Sequence, residues 1–267
     1  MRPRDISASV RRQRAATLLT FDALSDDDLD RPAMSGWTVG DVFRHLADSD
    51  RGSVLGVHLR NFLPGRTLQK FEEEFEAVND RNLERLRGVD RGTLRRELEV
   101  WGNRLARVIG LVPAPLARVE VPTAFGRLPL GWLGCLRPYD EWVHRWDIAK
   151  AVGQTDPLMD QPIRDLLAEF QLRALPAGPL RDAEPPDGVV EVRIDDGQVW
   201  RFDLTRRQFG AHVFAHPTVT IHLGVPDFCL IAANRVTWRD VEAAGRLKIE
   251  GDDRSAAESL LDLVRVV

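Results

Sequence analysis

One stretch constrains this chain more than any other: Arg137 to Gly153, RPYDEWVHRWDIAKAVG. Its pattern predicts a helix closed by Gly153, since glycine ends helices at little steric cost. At 100° per residue, Asp140 stands about 40° to one side of His144 and Glu141 about 60° to the other. A carboxylate and an imidazole therefore project together from adjacent turns, which is how helical proteins build half of a metal site. The other half needs a histidine on a neighbouring helix, and the segment GWTVGDVFRHLADSD offers His45. Thr38 followed by Asp41 makes an acidic capping box at the start of that helix. Val42, Phe43, Leu46, Val54, Leu55 and Leu59 continue it, with loosening at Gly52 and Gly56 and closure at Pro64-Gly65. His58 lies about 140° further round a straight helix than His45, so the two cannot share a site. His58 is expected at the surface.

The remaining chain divides by texture. Helical spacing is read from about residue 5 to 24, through Ile6, Val10, Leu18 and Phe21. The acidic run SDDDLDRP that follows is read as a solvated linker. Phe71, Phe75, Val78, Leu83 and Leu86 mark a third helix, and Leu94, Leu98, Trp101, Leu105 and Ile109 a fourth. VPAPLARVEVPTAFGRLPLG, rich in proline and glycine, is expected to be an ordered excursion with a short hairpin. An antiparallel helical bundle follows, with His45 and His144 on helices that can meet. Ile163 to Leu175 reads as a bridging helix. From Val189 the pattern alternates: VVEVRI and QVWRFDL form a hairpin, TVTIHLGV and RLKIEG are further strands, and three short helices complete a small α+β domain. The expected division is 1–155 for the bundle, 156–187 for the bridging helix and linker, and 188–267 for the α+β domain.

Composition excludes several functions. A formal net charge of −4 gives no basic surplus for a nucleic-acid backbone. No apolar run approaches the roughly 20 residues that span a bilayer. The segment MRPRDISASVRRQR lacks a secretory apolar core, so a cytoplasmic protein with no membrane partner is expected. Two distant cysteines, Cys135 and Cys229, form no disulfide framework, and Cys135 is read as a buried small apolar residue. Lysine occurs only at Lys70, Lys150 and Lys248, an arginine bias that suggests a GC-rich genome. No G-x-S-x-G elbow, phosphate-binding loop or dinucleotide fingerprint is present.

Two imidazoles and a carboxylate suit zinc, or another first-row ion such as nickel, iron or manganese. Three protein ligands leave positions open, the catalytic arrangement rather than the structural one. Glu141, at E-x-x-H spacing, competes with Asp140 for the acidic place. Asp147, three residues past His144, either orients that histidine or pairs with Arg145 or Lys150. His212 and His216 lie at i, i+4, but they flank Phe214 and lead into Pro217, so a loop is expected there. Trp132, Trp142 and Trp146 are read as core or interface.

GWTVGDVFRHLA followed by RPYDEWVHRWDIAKAVG resembles the mycothiol-dependent maleylpyruvate isomerase family. DLDRPAMSGWTV, VNDRNLERLRG and RVTWRDVEAAGRLKIEGDDRSAAESLL extend the likeness along the chain. The resemblance implies an α+β fold of two domains: a DinB-like antiparallel four-helix bundle, then a domain similar to sterol carrier proteins. It implies metal ligands at His45, Asp140 and His144, with Asp140 in a place where many relatives carry Glu and Glu141 able to substitute. It implies a catalytic-site residue at Arg235, matched to an arginine that binds substrate in relatives, with Asn234 where relatives often have Gly. The implied cofactors are a divalent metal, zinc first, and mycothiol, which with the composition suggests an actinobacterial source. The implied partners are a small-molecule substrate and a low-molecular-weight thiol. The activity expected is an isomerase or S-transferase acting on a small electrophilic or unsaturated acid. The alternatives are a non-catalytic protein of this fold binding a metal or an apolar ligand, and a structural or regulatory protein.

Overall fold

The computed structural model describes residues 2–34, 36–56, 83–123, 126–178, 180, 183–184, 186–195 and 197–264. It is α+β and falls into two compact units, Met1–Leu158 and Met159–Val267. His58, Leu59 and most of the third predicted helix, with Phe71, Phe75 and Val78, lie outside the described residues.

Among the described residues, four long helices build the first unit: α1 (Pro3–Ala23), α2 (Val39–Val54), α3 (Arg91–Leu111) and α4 (Leu136–Val152). Helix α1 packs on α3 and α4, and α2 packs on the same two, which closes the four into a ring. Their apolar core includes Phe21, Val42, Phe43, Leu46, Leu94, Leu98 and Ile148, with Leu86 beside them. Phe21 and Phe43 meet edge to face with ring centres 4.8 Å apart. Full burial of side chains of this size stabilises by about 1.5–3 kcal/mol each. The capping box at Thr38 forms as expected: Asp41 N–H donates to Thr38 Oγ1 at 3.1 Å, and Thr38 N–H donates to Asp41 Oδ2 at 3.1 Å. Helix α2 stops earlier than its apolar spacing suggests. It ends at Val54, Leu55 caps it, and Gly56 turns into the left-handed region at φ 71°.

The acidic run is largely solvent-exposed, as expected, but it forms a helical turn rather than a plain linker. Ser25 caps a helical turn at Asp26–Leu29 through a reciprocal box with Asp28, and Leu29 packs against the core. Arg91 then ties the run to the bundle, donating to Asp26 Oδ1 at 2.8 Å and to the Phe21 and Leu24 carbonyls. Of two short pairings, one was invisible to periodicity because its strands are so brief. It joins β1 (Pro32–Met34) with β2 (Trp37–Thr38). The expected hairpin forms between β3 (Glu120–Thr123) and β4 (Gly126–Pro129).

The second unit starts with helix α5 (Gln161–Ala177) and a five-stranded sheet. Its strands are β5 (Val189–Ile194), β6 (Gln198–Asp203), β7 (Gln208–Gly210), β8 (Val219–Leu223) and β9 (Leu247–Gly251), in the order β7-β6-β5-β8-β9. The β5–β8 pair is parallel and the others antiparallel. The short edge strand β7 is the element that the alternation did not disclose. Helices α6 (Val225–Ala232), α7 (Trp238–Ala243) and α8 (Arg254–Asp262) complete the unit. Among the described residues no helix is long and apolar enough to cross a membrane.

Glu191 is a buried charge of the sheet. It faces Arg201 across the β5–β6 pair and accepts from Arg201 Nε and Arg193 Nε at 2.7 Å each. Burial works to raise its pKa, but the two guanidiniums prevail and hold it below the ordinary value. A depressed carboxylate contributes stability above its unfolded pKa and loses it as pH falls through the folded one. The stability difference between the wild type and Glu191→Gln should therefore be full at neutral pH and shrink below about pH 4.5. Urea unfolding at several pH values measures it; a difference that does not change with pH would contradict the pairing.

Candidate metal centre

Helices α2 and α4 bring three donor side chains together. His45 projects from the middle of α2, and Asp140 and His144 occupy adjacent turns of α4. One ligand atom from each lies within 4.8 Å of the others. Asp140 Oδ2 is 3.6 Å from His45 Nε2, and Asp140 Oδ1 is 3.5 Å from His144 Nε2. The imidazole centres are 4.9 Å apart at 68°. Both histidines are buried, whereas the Asp140 side chain is 25 % exposed, so the centre is open to water at its acidic corner. Gly153, at φ 71°, ends α4 as the sequence predicts.

The surroundings fix the two rings. His144 Nδ1 sits 3.0 Å from Asp147 Oδ2, which turns Nε2 toward Asp140. Of the two roles open to Asp147, the structure supports orientation of the histidine, since Arg145 pairs with Gln13 and Lys150 with Asp156. Ser49 Oγ lies 3.4 Å from His45 Nε2. Trp37 packs against both imidazoles, 5.0 Å from His45 and nearly parallel to His144 at 6.2 Å. The β1–β2 pairing and the Thr38 cap hold Trp37 there.

Glu141 is not among the converging donors. Its carboxylate lies 3.3 Å from Arg14 Nη2 of α1. That arginine also donates to Asp50 Oδ2 at 2.5 Å, and Asp50 accepts Arg137 Nε on its other oxygen at 2.9 Å. Arg14 reaches this position because α3 has Gly102 beside it; a Cβ there would stand 2.6 Å from Arg14 Nε. Trp37, Asp50, Arg14 and Arg137 all escaped sequence reasoning. The signal for Trp37 was its place beside the cap; the others carry no local signal, because their partners come from distant segments.

Electrostatics separates the two histidines. Burial disfavours the imidazolium and lowers the His45 pKa, and Asp140 offsets this only in part. Burial acts the same way at His144, but Asp140 and Asp147 overcome it and raise that pKa to about 9. Burial works to raise the Asp140 pKa, yet Arg137 and His144 hold it well below the usual carboxylate range. Burial, opposed by Arg14, raises the Glu141 pKa.

The other sequence candidates fall elsewhere. His212 and His216 lie exposed in a loop, and His222 on β8 is 3.1 Å from Glu250 Oε2. Arg235 follows α6 in the second unit, where its Nη1 donates to the Ala233 carbonyl at 2.8 Å. Asn234 before it has φ 54°, a left-handed conformation that Asn tolerates and Gly adopts freely. Cys135 is fully buried, as expected of a small apolar residue. Trp132 and Trp142 are core, and Trp146 is half-buried with Lys150 Nζ 5.2 Å from its ring centre.

A family model described as the mycothiol maleylpyruvate isomerase N-terminal domain matches residues 10–149, a span that holds all three converging donors. No protein of curated function matches the sequence. Among solved structures, the mycothiol-dependent maleylpyruvate isomerase is similar at 15 % identity and a TM-score of 0.53, covering 88 % of this chain and 90 % of its own. A histidine-to-alanine mutant of a protein of that name is similar at 13 % identity and 0.55, covering 94 % and 93 %. At these identities the likeness is one of fold. Sterol Carrier Protein 2 Like 2 from Aedes aegypti is similar at 24 % identity and 0.32, covering 37 % of this chain and 96 % of its own.

In metal-free protein the two ring titrations should diverge. His144, with its pKa raised to about 9, contributes stability that is full below the unfolded value near 6.5 and is lost as pH rises through about 9. His45 should titrate below 6.5. Nuclear magnetic resonance of the imidazole protons follows both, and coincident midpoints near 6.5 would contradict this electrostatic picture.

Proposed function

Because this chain belongs to the mycothiol maleylpyruvate isomerase family, we propose that it is a divalent-metal-dependent, mycothiol-dependent enzyme, an isomerase or S-transferase acting on a small electrophilic or unsaturated acid. The observation that carries the metal reading is the convergence of His45, Asp140 and His144. Donors about 2.0–2.1 Å from a tetrahedral zinc stand roughly 3.4 Å apart. Asp140 comes near that span through a different oxygen to each ring, Oδ2 at 3.6 Å from His45 and Oδ1 at 3.5 Å from His144, and the donor set, which spreads over up to 4.8 Å, would contract around an ion. Two neutral nitrogens and one anionic oxygen suit zinc before harder ions.

A divalent ion held by His45, Asp140 and His144 would lower the pKa of the mycothiol thiol, making thiolate available near neutral pH to add to an activated carbon. The chain's own groups prepare for this. Asp147 holds Nδ1 of His144, so the Nε2 lone pair faces the centre once the proton there has left. Low basicity keeps the His45 ring neutral near pH 7, the form in which an imidazole ligates a metal. Trp37 covers one side of both rings and keeps water off them. In the second unit, Arg235 is proposed to bind the substrate's carboxylate, a role resting on the family resemblance.

Elemental analysis of the purified protein should find one divalent ion per chain, lost in His45→Ala. Turnover of small unsaturated acids or electrophiles should require mycothiol, and Arg235→Ala should raise KM more than it lowers kcat. Metal-free protein in both the wild type and His45→Ala, or turnover indifferent to the thiol, would overturn the proposal.

A further inference from the structure

Asp140 is the exposed corner of the centre, and a short side chain open to water needs something to hold it. Arg137, one turn earlier on α4, is placed to do so. Its Nη1 donates to Asp140 Oδ2 at 2.7 Å while its Nε donates to Asp50 Oδ1 at 2.9 Å. Asp50 is fully buried on α2 and is itself held by Arg14 of α1 at 2.5 Å. The guanidinium thus spans two carboxylates, one rigid in the bundle interior and one facing the histidines. Resting on the metal-centre reading above, we infer that Arg137 is a positioning residue: by bridging Asp140 to Asp50 it fixes the carboxylate that His45 and His144 face.

The chemistry calls for arginine here. Donors on different sides of a planar guanidinium can engage two carboxylates at once, whereas a lysine ammonium is a single point of charge. Lysine at this place keeps the positive charge beside the ion but cannot keep both bonds in the same geometry. Charge and positioning are therefore separable. Loss of a partner that orients a metal ligand typically weakens metal binding by about 10–100-fold.

The test is a cobalt(II) titration of metal-stripped wild type, Arg137→Lys and Asp50→Asn, with visible absorption to report ligand geometry and urea unfolding of each metal-free protein to report the fold. Arg137→Lys should bind cobalt about 10–100-fold more weakly than wild type, with altered band positions or intensity. Asp50→Asn keeps an acceptor oxygen in place while removing the charge, and should shift affinity in the same direction by a smaller factor; it decides the matter if Arg137→Lys does not fold. Wild type that takes up no cobalt would overturn the metal centre itself. Wild type that binds cobalt, with folded variants of unchanged affinity and absorption, would overturn the role of Arg137 and leave the centre standing.

Discussion

The bundle is organised around a buried carboxylate. Asp50 has no exposed surface, yet it carries a charge and holds guanidiniums from two other helices, Arg14 on α1 and Arg137 on α4. Removing such groups from water costs several kcal/mol per ion, and their attraction offsets this only while every partner stays in place. Breaking one member typically costs 3–5 kcal/mol. A sliding of α4 along α2 would separate Asp50 from Arg137 and break the bond between the two helices, so the pair sets the register of the helices that carry the donors. Buried charge of this kind is a poor source of net stability, which comes from the Phe21–Phe43 core; its value lies in alignment.

Alignment connects that interior to chemistry. The charges run from Glu141 through Arg14, Asp50 and Arg137 to Asp140, alternating in sign, and finish at the two histidines. Asp140 draws His144 toward the protonated form, while burial keeps His45 neutral. Two imidazoles and a carboxylate already face one another there. Among the three donors Asp140 is the one with appreciable exposure, 25 % against 3 % and 7 % for the histidines.

Much of this was legible in the sequence wherever the cause is local. The phase of Asp140 and His144 on one helix, the Thr38 cap, the stop at Gly153 and the alternation of β5 and β6 each depend on residues within a few positions. Where a distant residue intervenes, local pattern falls short. The acidic run is exposed as expected, but nothing local showed that Arg91 would tie it to the bundle. Phase alone left Asp140 and Glu141 both open, since each flanks His144; Arg14, far away on α1, engages Glu141. The pairing of Arg137 with Asp50 was hidden for the same reason, as no pattern within α4 shows what α2 will present to it.

The most direct test of the metal centre is X-ray absorption of the zinc-loaded protein in solution. His45 and His144 predict two imidazoles in the first coordination shell, recognisable by scattering from the outer ring atoms, with the rest of the shell light oxygen donors. Asp140→Ala should keep both imidazoles and lose one protein oxygen. A shell with no imidazole, or with one that survives in a His45→Ala, His144→Ala double variant, would contradict the site built from α2 and α4.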